Sequence, residues 1–249
     1  MVELIYALWR RDVVKLLRDR QSFAASLARP FLWLVALGFG LRSSFRMETE
    51  GVDYISFLVP GIAAMSVLFT SMFSAISIVW DREFGFLKEL LVAPVPRHAL
   101  VLGKMVAGAS TSTLEAAIVL ALSPLFGARI APLGALAALG VLLVFGLAVT
   151  ALGVAIAARM RSFEGFGGIV NFLIQPIFFL SGALYPLPGL PRALEVLVLA
   201  NPMTYAVDAV RGLTLGVHHF PYALDLGVVA ASAVLAGWVA TRQFSRMQA

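Results

Sequence analysis

Three charged residues fall inside otherwise apolar stretches. Glu115 lies in the middle of a long apolar run, Lys104 lies near the start of the same run, and Arg29 precedes Pro30 in an earlier one. A charged group at membrane depth is costly, so each is a functional candidate. Lys104 and Glu115 are about 16 Å apart along a helix, too far for a salt bridge, and we expect Lys104 to extend to the interface. For Glu115 the options are a structural role, protonation, pairing with Arg29 or Gln175, or carrying protons.

Hydroxyl side chains recur at helical spacing along a second apolar stretch and end at the carboxylate of Asp81. A similar polar line, containing two amides, runs along a later stretch. Small polar residues also allow helices to pack closely, which is the alternative explanation for the hydroxyls. Amides have more hydrogen-bonding capacity than packing requires. We therefore predict that both lines border a transport pathway, at Ser66, Thr70, Ser74, Ser77, Asn171 and Gln175.

No arrangement typical of an enzyme occurs in the sequence. It contains neither a phosphate-binding G-x-x-x-x-G-K-[ST] loop nor an H-E-x-x-H zinc motif. Ser181 is the nearest candidate nucleophile, but the histidines lie at the edges of apolar stretches or in a loop. Cysteine is absent, which excludes disulfides and thiolate metal sites. We predict no catalytic residue, no metal and no cofactor on this chain.

The composition indicates that membrane-spanning helices carry these residues. Of 249 residues, 60% are hydrophobic and 13% are charged, whereas a soluble domain has about 25% charged residues. Six apolar stretches reach roughly the 20 residues that a helix needs to cross a bilayer. They are Phe23–Leu41, Tyr54–Trp80, Leu100–Phe126, Pro132–Ala158, Gly165–Leu184 and Tyr222–Thr241. The sequence predicts an all-α integral membrane protein with one six-span domain over 23–241 and a tail over 242–249.

The N-terminal residues 1–22 have the pattern of an amphipathic helix lying in the membrane interface. At 100° per residue, Trp9 and Val13 fall on one side and Arg11, Lys15 and Arg18 on the other. A soluble helix bound to a partner is the alternative.

The distribution of positive charge predicts the orientation in the membrane. If the N-terminus is inside, 12 of the 19 Lys and Arg residues lie on that side and 5 lie outside. This bias predicts that both termini are cytoplasmic. We expect the protein to lie in the inner membrane of the cell. The net charge of +5 suits anionic lipid, and we expect no nucleic-acid partner.

Two segments outside the spans carry recognisable helix signals. On the cytoplasmic side, residues 81–92 have apolar side chains at helical spacing, and Pro94 stops the helix; a surface turn is the alternative. On the opposite side, Leu190–Ala200 is too short to span and is interpreted as a re-entrant or interfacial segment. Asn201 then caps a helix that begins at Pro202, in which Asp208 and Arg211 are one turn apart and able to pair. The sequence thus predicts a re-entrant extracytoplasmic helical hairpin between spans 5 and 6.

Several short motifs occur in a fixed order over about residues 10–245. They are Leu58-Val59-Pro60-Gly61, Asp81-Arg82-Glu83-Phe84-Gly85, Leu87-Lys88-Glu89, Leu102-Gly103-Lys104, Gln175-Pro176, Leu180-Ser181-Gly182, Asn201-Pro202, Tyr205 and Arg211. Each is weak alone. Together, in a six-span chain, they resemble the permease subunits of type-2 ABC exporters, the group that exports drugs, polysaccharides and lipo-oligosaccharides.

The resemblance implies a homodimer that binds two copies of a separate P-loop ATPase, which holds ATP and Mg²⁺. Residues 81–92 would be the coupling helix, and 1–22 the connecting helix that flanks the same ATPase. The coupling contacts would be Asp81, Arg82, Glu83, Gly85, Leu87 and Glu89. Region 185–221 would form the extracytoplasmic gate, including Asn201, Pro202, Tyr205, Asp208 and Arg211. Phe86 departs from the family, which often has a small polar residue there.

The sequence does not identify the cargo. A predicted pathway with an apolar lining and two polar lines suits an amphipathic drug, a lipid or a lipid-linked glycan, and we expect contact with membrane lipid. The rival hypothesis is a stand-alone secondary transporter or proton-linked channel centred on Glu115. That rival predicts transport driven by a proton gradient, independent of any ATPase and abolished by Glu115→Gln.

Overall fold

The computed structural model describes residues 2–40, 52–84, 96–160 and 162–246. Within these ranges the chain forms helices and no strands, which confirms the predicted all-α class. The α-helices are α1 Val2–Arg18, α2 Arg20–Gly40, α3 Tyr54–Ser74, α4 Ile76–Glu83, α5 Arg97–Leu122, α6 Pro132–Ala157, α7 Phe163–Phe179, α8 Arg192–Leu199, α9 Pro202–Leu215 and α10 Tyr222–Ser245. A 3₁₀ turn, Ser123–Phe126, extends α5.

Five helical segments of the described chain are long and apolar enough to cross a bilayer. They are Phe23–Gly40, Tyr54–Glu83, Arg97–Phe126, Pro132–Ala157 and Tyr222–Ser245. A sixth is counted if α8 and α9, which meet at 83°, act as one bent span. The structure therefore supports five to six spans by length and composition, and the re-entrant path of the hairpin stays a prediction.

The predicted fifth span is shorter than its apolar stretch. Helix α7 has 17 residues, about 26 Å at the helical rise, against a hydrocarbon core of about 30 Å. The helix ends at Phe179 because Leu180 leaves helical geometry and Gly182 adopts a positive φ of 67°. Apolar composition continues to Leu184, so hydropathy alone placed the end of the helix too late.

The second span is broken at Ala75, between α3 and α4. The hydroxyls of Ser74 and Ser77 donate to the carbonyls of Ser71 and Ser74 at 2.7 and 3.0 Å, and such bonds within a helix favour bending. Asp81 lies in α4, which is the continuation of this span. The start of the predicted coupling helix is therefore not a separate element, and its residues 85–92 lie outside the described part of the chain.

The N-terminal arm consists of α1 and α2, which are separated at Asp19. The helix in the predicted amphipathic segment thus ends at Arg18, before the predicted boundary at residue 22. Its place in the membrane interface stays a prediction. Helix α1 packs against α5, and α2 packs against α3. The arm therefore lies beside the two helices that carry the polar side chains of interest.

Helix α6 forms the centre of the bundle and packs against α3, α5, α9 and α10. Its small residues make this possible, since a Cβ at Gly153 would lie 2.9 Å from the Met72 carbonyl oxygen. A Cβ at Gly146 would lie 3.1 Å from the Cα of Ala109. This close packing holds α3 and α5 in fixed positions for the site described next.

Candidate functional site

A cleft of about 700 Å³ lies between the N-terminal arm and the helices α3, α4 and α5. The predicted stripe on the second span faces it as a continuous line. Its polar lining, which defines what we call the hydroxyl cleft, includes Ser26, Arg29, Ser66, Thr70, Ser74, Ser77, Asp81, Thr111 and Glu115. Helical periodicity thus identified side chains that share one surface, and their role as a pathway stays a prediction.

Glu115 is held at the wall of the hydroxyl cleft by two hydroxyl groups. Ser26 Oγ donates to Oε1 at 2.7 Å, and Thr70 Oγ1 donates to Oε2 at 2.5 Å. The residue is only 1% exposed. These bonds join α5 to α2 and α3, which gives the carboxyl group a structural role.

Of the options left open for Glu115, a direct pair with Arg29 or Gln175 is not the one that the structure shows. The guanidinium of Arg29 lies 4.6 Å from the centroid of the Phe69 ring, and Gln175 is exposed on α7. Arg29 does lie near enough to act on Glu115 electrostatically. The Ser26 contact spans 89 positions, so no local sequence signal pointed to it.

Lys104 reaches a carboxylate on the N-terminal arm, and its predicted extension to the membrane interface stays a prediction. It is only 8% exposed, and its Nζ lies 3.1 Å from Asp12 Oδ2 and donates to Ser77 Oγ at 2.8 Å. Asp12 also accepts a bond from Arg11 Nε at 3.0 Å. One ammonium group thereby connects α1, α4 and α5, because three donors on a single nitrogen can satisfy partners from several directions.

The described coupling residues have different surroundings. Arg82 donates to the Ala158 carbonyl at 3.0 Å and also to the Met160 carbonyl, just beyond the C-terminal end of α6. Asp81 lines the hydroxyl cleft, and Glu83 is exposed. These bonds direct Arg82 toward its own chain, whereas we had predicted an ATPase contact. The remaining predicted contacts, Gly85, Leu87 and Glu89, lie outside the described residues.

The outer hairpin is tied to the end of α7 by Asn201. Its side chain accepts from the Met203 amide at 3.0 Å, which is the predicted helix cap. Its Nδ2 donates to the carbonyls of Ile177 and Leu180 at 2.6 and 3.0 Å. Pro202 occupies the first turn of α9, and Tyr205 donates to the Leu199 carbonyl at 2.8 Å.

Asp208 and Arg211, whose spacing makes them able to pair, bond directly to other partners. Asp208 accepts hydrogen bonds from the backbone amides of His219 and Phe220, with the shortest contacts at 2.8 Å. Arg211 donates to the Gly182 carbonyl at 3.0 Å and lies 3.8 Å from the centroid of the Phe57 ring. Each charged group thus fixes a loop to α9, an arrangement that spacing along one helix does not reveal.

Asn171 and Gln175 lie on the exposed side of α7 and do not line the hydroxyl cleft. Phe172, between them, is 81% exposed. The two polar lines that we predicted to border one pathway therefore face different surfaces within a single chain.

Comparison with known proteins identifies the family of this chain. A family model described as ABC-2 type transporter matches residues 3–215, from the N-terminal arm to the end of α9. The chain belongs to the ABC-2 type transporter family. This confirms the resemblance drawn from the ordered motifs, and with it a transmembrane permease of the ABC transporter class.

Several relatives are similar to this chain over most of their length. Nodulation protein J of Rhizobium leguminosarum bv. viciae is 28% identical over 243 residues, covering 96% of this chain and 93% of that protein. The inner membrane transport permease YadH of Escherichia coli strain K12 is 26% identical over 228 residues, which cover 90% of this chain and 87% of that protein. The putative transport permease ycf38 of Cyanophora paradoxa is 25% identical over 215 residues, which cover 85% of this chain and 74% of that protein.

Proposed function

We propose that this ABC-2 family chain is the permease subunit of an ATP-driven exporter, working as a homodimer with two copies of a separate P-loop ATPase. The observation that carries the proposal is the family match over residues 3–215 in a sequence with no phosphate-binding loop of its own. ATP and Mg²⁺ then bind to the partner, and the permease performs no covalent chemistry. It lies in the inner membrane with both termini in the cytoplasm.

The amides on α7 support a second copy as a partner. Asn171 and Gln175 are exposed at one-turn spacing on an apolar helix. An amide that faces hydrocarbon without a partner is costly, whereas amides between helices hydrogen-bond across the interface. A second copy packed on this face would cover them and place them beside a path for the cargo.

Contacts at both ends of α7 support a route for mechanical coupling. At the cytoplasmic end, Trp80 of α4 stacks on Phe163 with ring centroids 5.8 Å apart, and Arg82 holds the segment that precedes α7. At the other end, Asn201 bonds the last carbonyls of α7 to the hairpin. Movement of α4, driven by closure of the ATPase pair, would reach the gate through α7. ATP binding would thus shift the populations of the inward and outward states.

The cargo in this proposal is an amphipathic drug, a lipid or a lipid-linked glycan. The predicted gate residues support an outer barrier, because Asn201, Asp208 and Arg211 are buried and each bonds to backbone groups of another segment. Such a barrier can stay closed until α7 moves.

The proposed class of transporter, an ATP-driven exporter with a separate ATPase, is tested by purifying the tagged chain from its native host in mild detergent. We expect a protein with a Walker motif to co-purify at one copy per permease. Glu83→Ala should then reduce cargo-stimulated ATP hydrolysis, while Glu195→Ala, an exposed carboxylate on α8, should not. Recovery of the chain alone in several detergents with nucleotide present, together with proton-driven transport, would favour the secondary transporter instead.

The homodimer has its own test, which the absence of cysteine makes simple. Single cysteines at Asn171 and at Phe172 should be linked between copies in membranes by a short bismaleimide. A cysteine at Leu133, which is 80% exposed on α6, serves as the control and should give no dimer. Equal linking from Leu133 would contradict an interface on α7.

A further inference from the structure

A shallow groove on the N-terminal arm brings three arginine side chains together. Its lining, which defines what we call the arginine groove, consists of Ala7, Arg10, Arg11, Val14, Arg18 and Asp19. All three arginines are exposed. At 100° per residue they fall on the same side of α1 as the two apolar residues of the lining. One face of one helix therefore supplies most of this surface.

The arginine groove keeps an excess of positive charge after its contacts are counted. Arg11 bonds to Asp12, but Asp12 is also paired with Lys104, so this group of three has one positive charge left over. Arg10 and Arg18 form no hydrogen bond or ion pair with any residue that the structure describes. The lining contains a single carboxylate. At least two positive charges are therefore available to an anionic ligand.

The position of the arginine groove in the chain favours a lipid headgroup as its ligand. Only four residues separate Arg18 from Phe23, where the first apolar span begins. The headgroup layer adjoins the end of such a span. Tyr6, which is 58% exposed, and Trp9 have ring centroids 5.7 Å apart on the same helix, and Tyr and Trp are enriched at membrane interfaces. The phosphates of that layer are then the anions closest to the groove.

Arginine side chains are suited to a phosphate-bearing headgroup. A planar guanidinium group binds phosphate oxygens through paired hydrogen bonds. Clusters of about four to eight Lys and Arg residues beside a span or on an amphipathic helix are typical of anionic-lipid sites, and residues 10–20 contain five. Arg10 and Arg18 lie about 12 Å apart along the helix axis. The arginine groove is therefore longer than a single phosphate ion and has room for a whole headgroup.

We propose that the arginine groove binds the headgroup of an anionic phospholipid between Arg10 and Arg18. Arg11 adds positive charge while it keeps its bond to Asp12. The contact between Asp12 and Lys104 holds α1 on the bundle and leaves the three arginines on the exposed side of the helix. The site is complete within one chain and requires neither a second copy nor an ATPase. Its failure would leave the proposed permease function standing.

The test titrates phosphatidylglycerol into the purified full chain in uncharged detergent and measures the Kd of the first bound lipid by native mass spectrometry. Excess phosphatidylcholine, which has no net charge, and glycerol 3-phosphate, which has no acyl chains, should not displace it. Arg10→Gln and Arg18→Gln should each raise the Kd by about fivefold, the value of one basic residue near an anionic surface. Arg246→Gln removes an exposed arginine just beyond α10 and should leave the Kd unchanged.

A lysine variant separates a phosphate site from a general attraction between opposite charges. The double change Arg10→Lys with Arg18→Lys keeps both charges but loses the paired guanidinium bonds, so the Kd should rise by about twofold or more.

Four results would each overturn the proposal. They are a Kd that stays unchanged in the double Gln variant or in the double Lys variant, an equal loss in Arg246→Gln, and equal displacement by phosphatidylcholine or by glycerol 3-phosphate. Displacement by glycerol 3-phosphate would assign the groove to a soluble phosphate. The fourth is loss of a co-purifying ATPase from the double Gln variant while phosphatidylglycerol binding is unchanged, which would assign the arginines to a protein partner.

Discussion

The contact between Lys104 and Asp12 should hold the N-terminal arm on the bundle. At 3.1 Å and an effective dielectric constant of about 20, their Coulomb attraction is about 5 kcal/mol. Removing the two charges from water costs several kcal/mol. Lys104 is nearly buried, and the Asp12 side chain is 22% exposed. We therefore expect a net coupling of about 1–2 kcal/mol, above the roughly 0–1 kcal/mol of an exposed pair.

A double-mutant cycle measures this coupling. Lys104→Met, Asp12→Asn and the double variant are compared by equilibrium unfolding in mixed micelles. Lys104→Met alone should cost about 2 kcal/mol, less than the 3–5 kcal/mol typical of a broken buried pair, because Asp12 keeps Arg11 and some solvent. Hydrogen exchange of α1 should rise in the same variant, since the arm loses its bond to α5.

Arg11→Gln is the matched control. Arg11 also lies 3.0 Å from Asp12, but its side chain is 47% exposed, so its loss should change the free energy of unfolding by no more than about 0.5 kcal/mol. A coupling energy below about 0.3 kcal/mol, or a cost for Arg11→Gln equal to that of Lys104→Met, would refute the reasoning.

Three further predictions concern the packing, and the first two use the same unfolding measurement. Gly134→Ala should cost about 3 kcal/mol or more, because its Cβ would lie within van der Waals overlap of the Leu213 carbonyl oxygen; Gly140→Ala, with open space around its Cβ, should be neutral or stabilising. Asn201→Ala should cost more than the roughly 1 kcal/mol of a lost cap, and Asn201→Asp should cost at least as much, because it keeps the cap acceptor but turns an oxygen toward the Ile177 and Leu180 carbonyls. Arg82→Gln should speed proteolysis between α6 and α7, and an unchanged rate would contradict its bonds to the carbonyls beyond α6.

Local patterns predicted the features that depend on neighbouring residues. Helical spacing placed Ser66, Thr70, Ser74 and Ser77 on one surface, and all of them line one cleft. The cap at Asn201 was likewise predicted, because it connects residues close in sequence.

Long-range partners could not be predicted in this way. Lys104 and Asp12 are 92 residues apart, and Arg211 and Gly182 are 29 apart. In each case a buried charge finds a partner on another helix or loop, because the energetic cost of leaving it unpaired exceeds any preference set by spacing. Sequence spacing therefore offered Asp208 as a direct partner for Arg211, and the folded chain places the guanidinium on a carbonyl and a ring instead.

The separation of the two polar lines constrains how a dimer of this chain could carry cargo. The hydroxyls of α3 face α2 and α5, and α6 holds α3 and α5 in place through glycine contacts that leave no space for a side chain. Rotating α3 to bring its hydroxyls toward α7 would break these contacts and the bond between Thr70 and Glu115. A path between two copies would then be bordered by α7 with its amides. The hydroxyl cleft would remain a separate site in each copy, one on either side of that path.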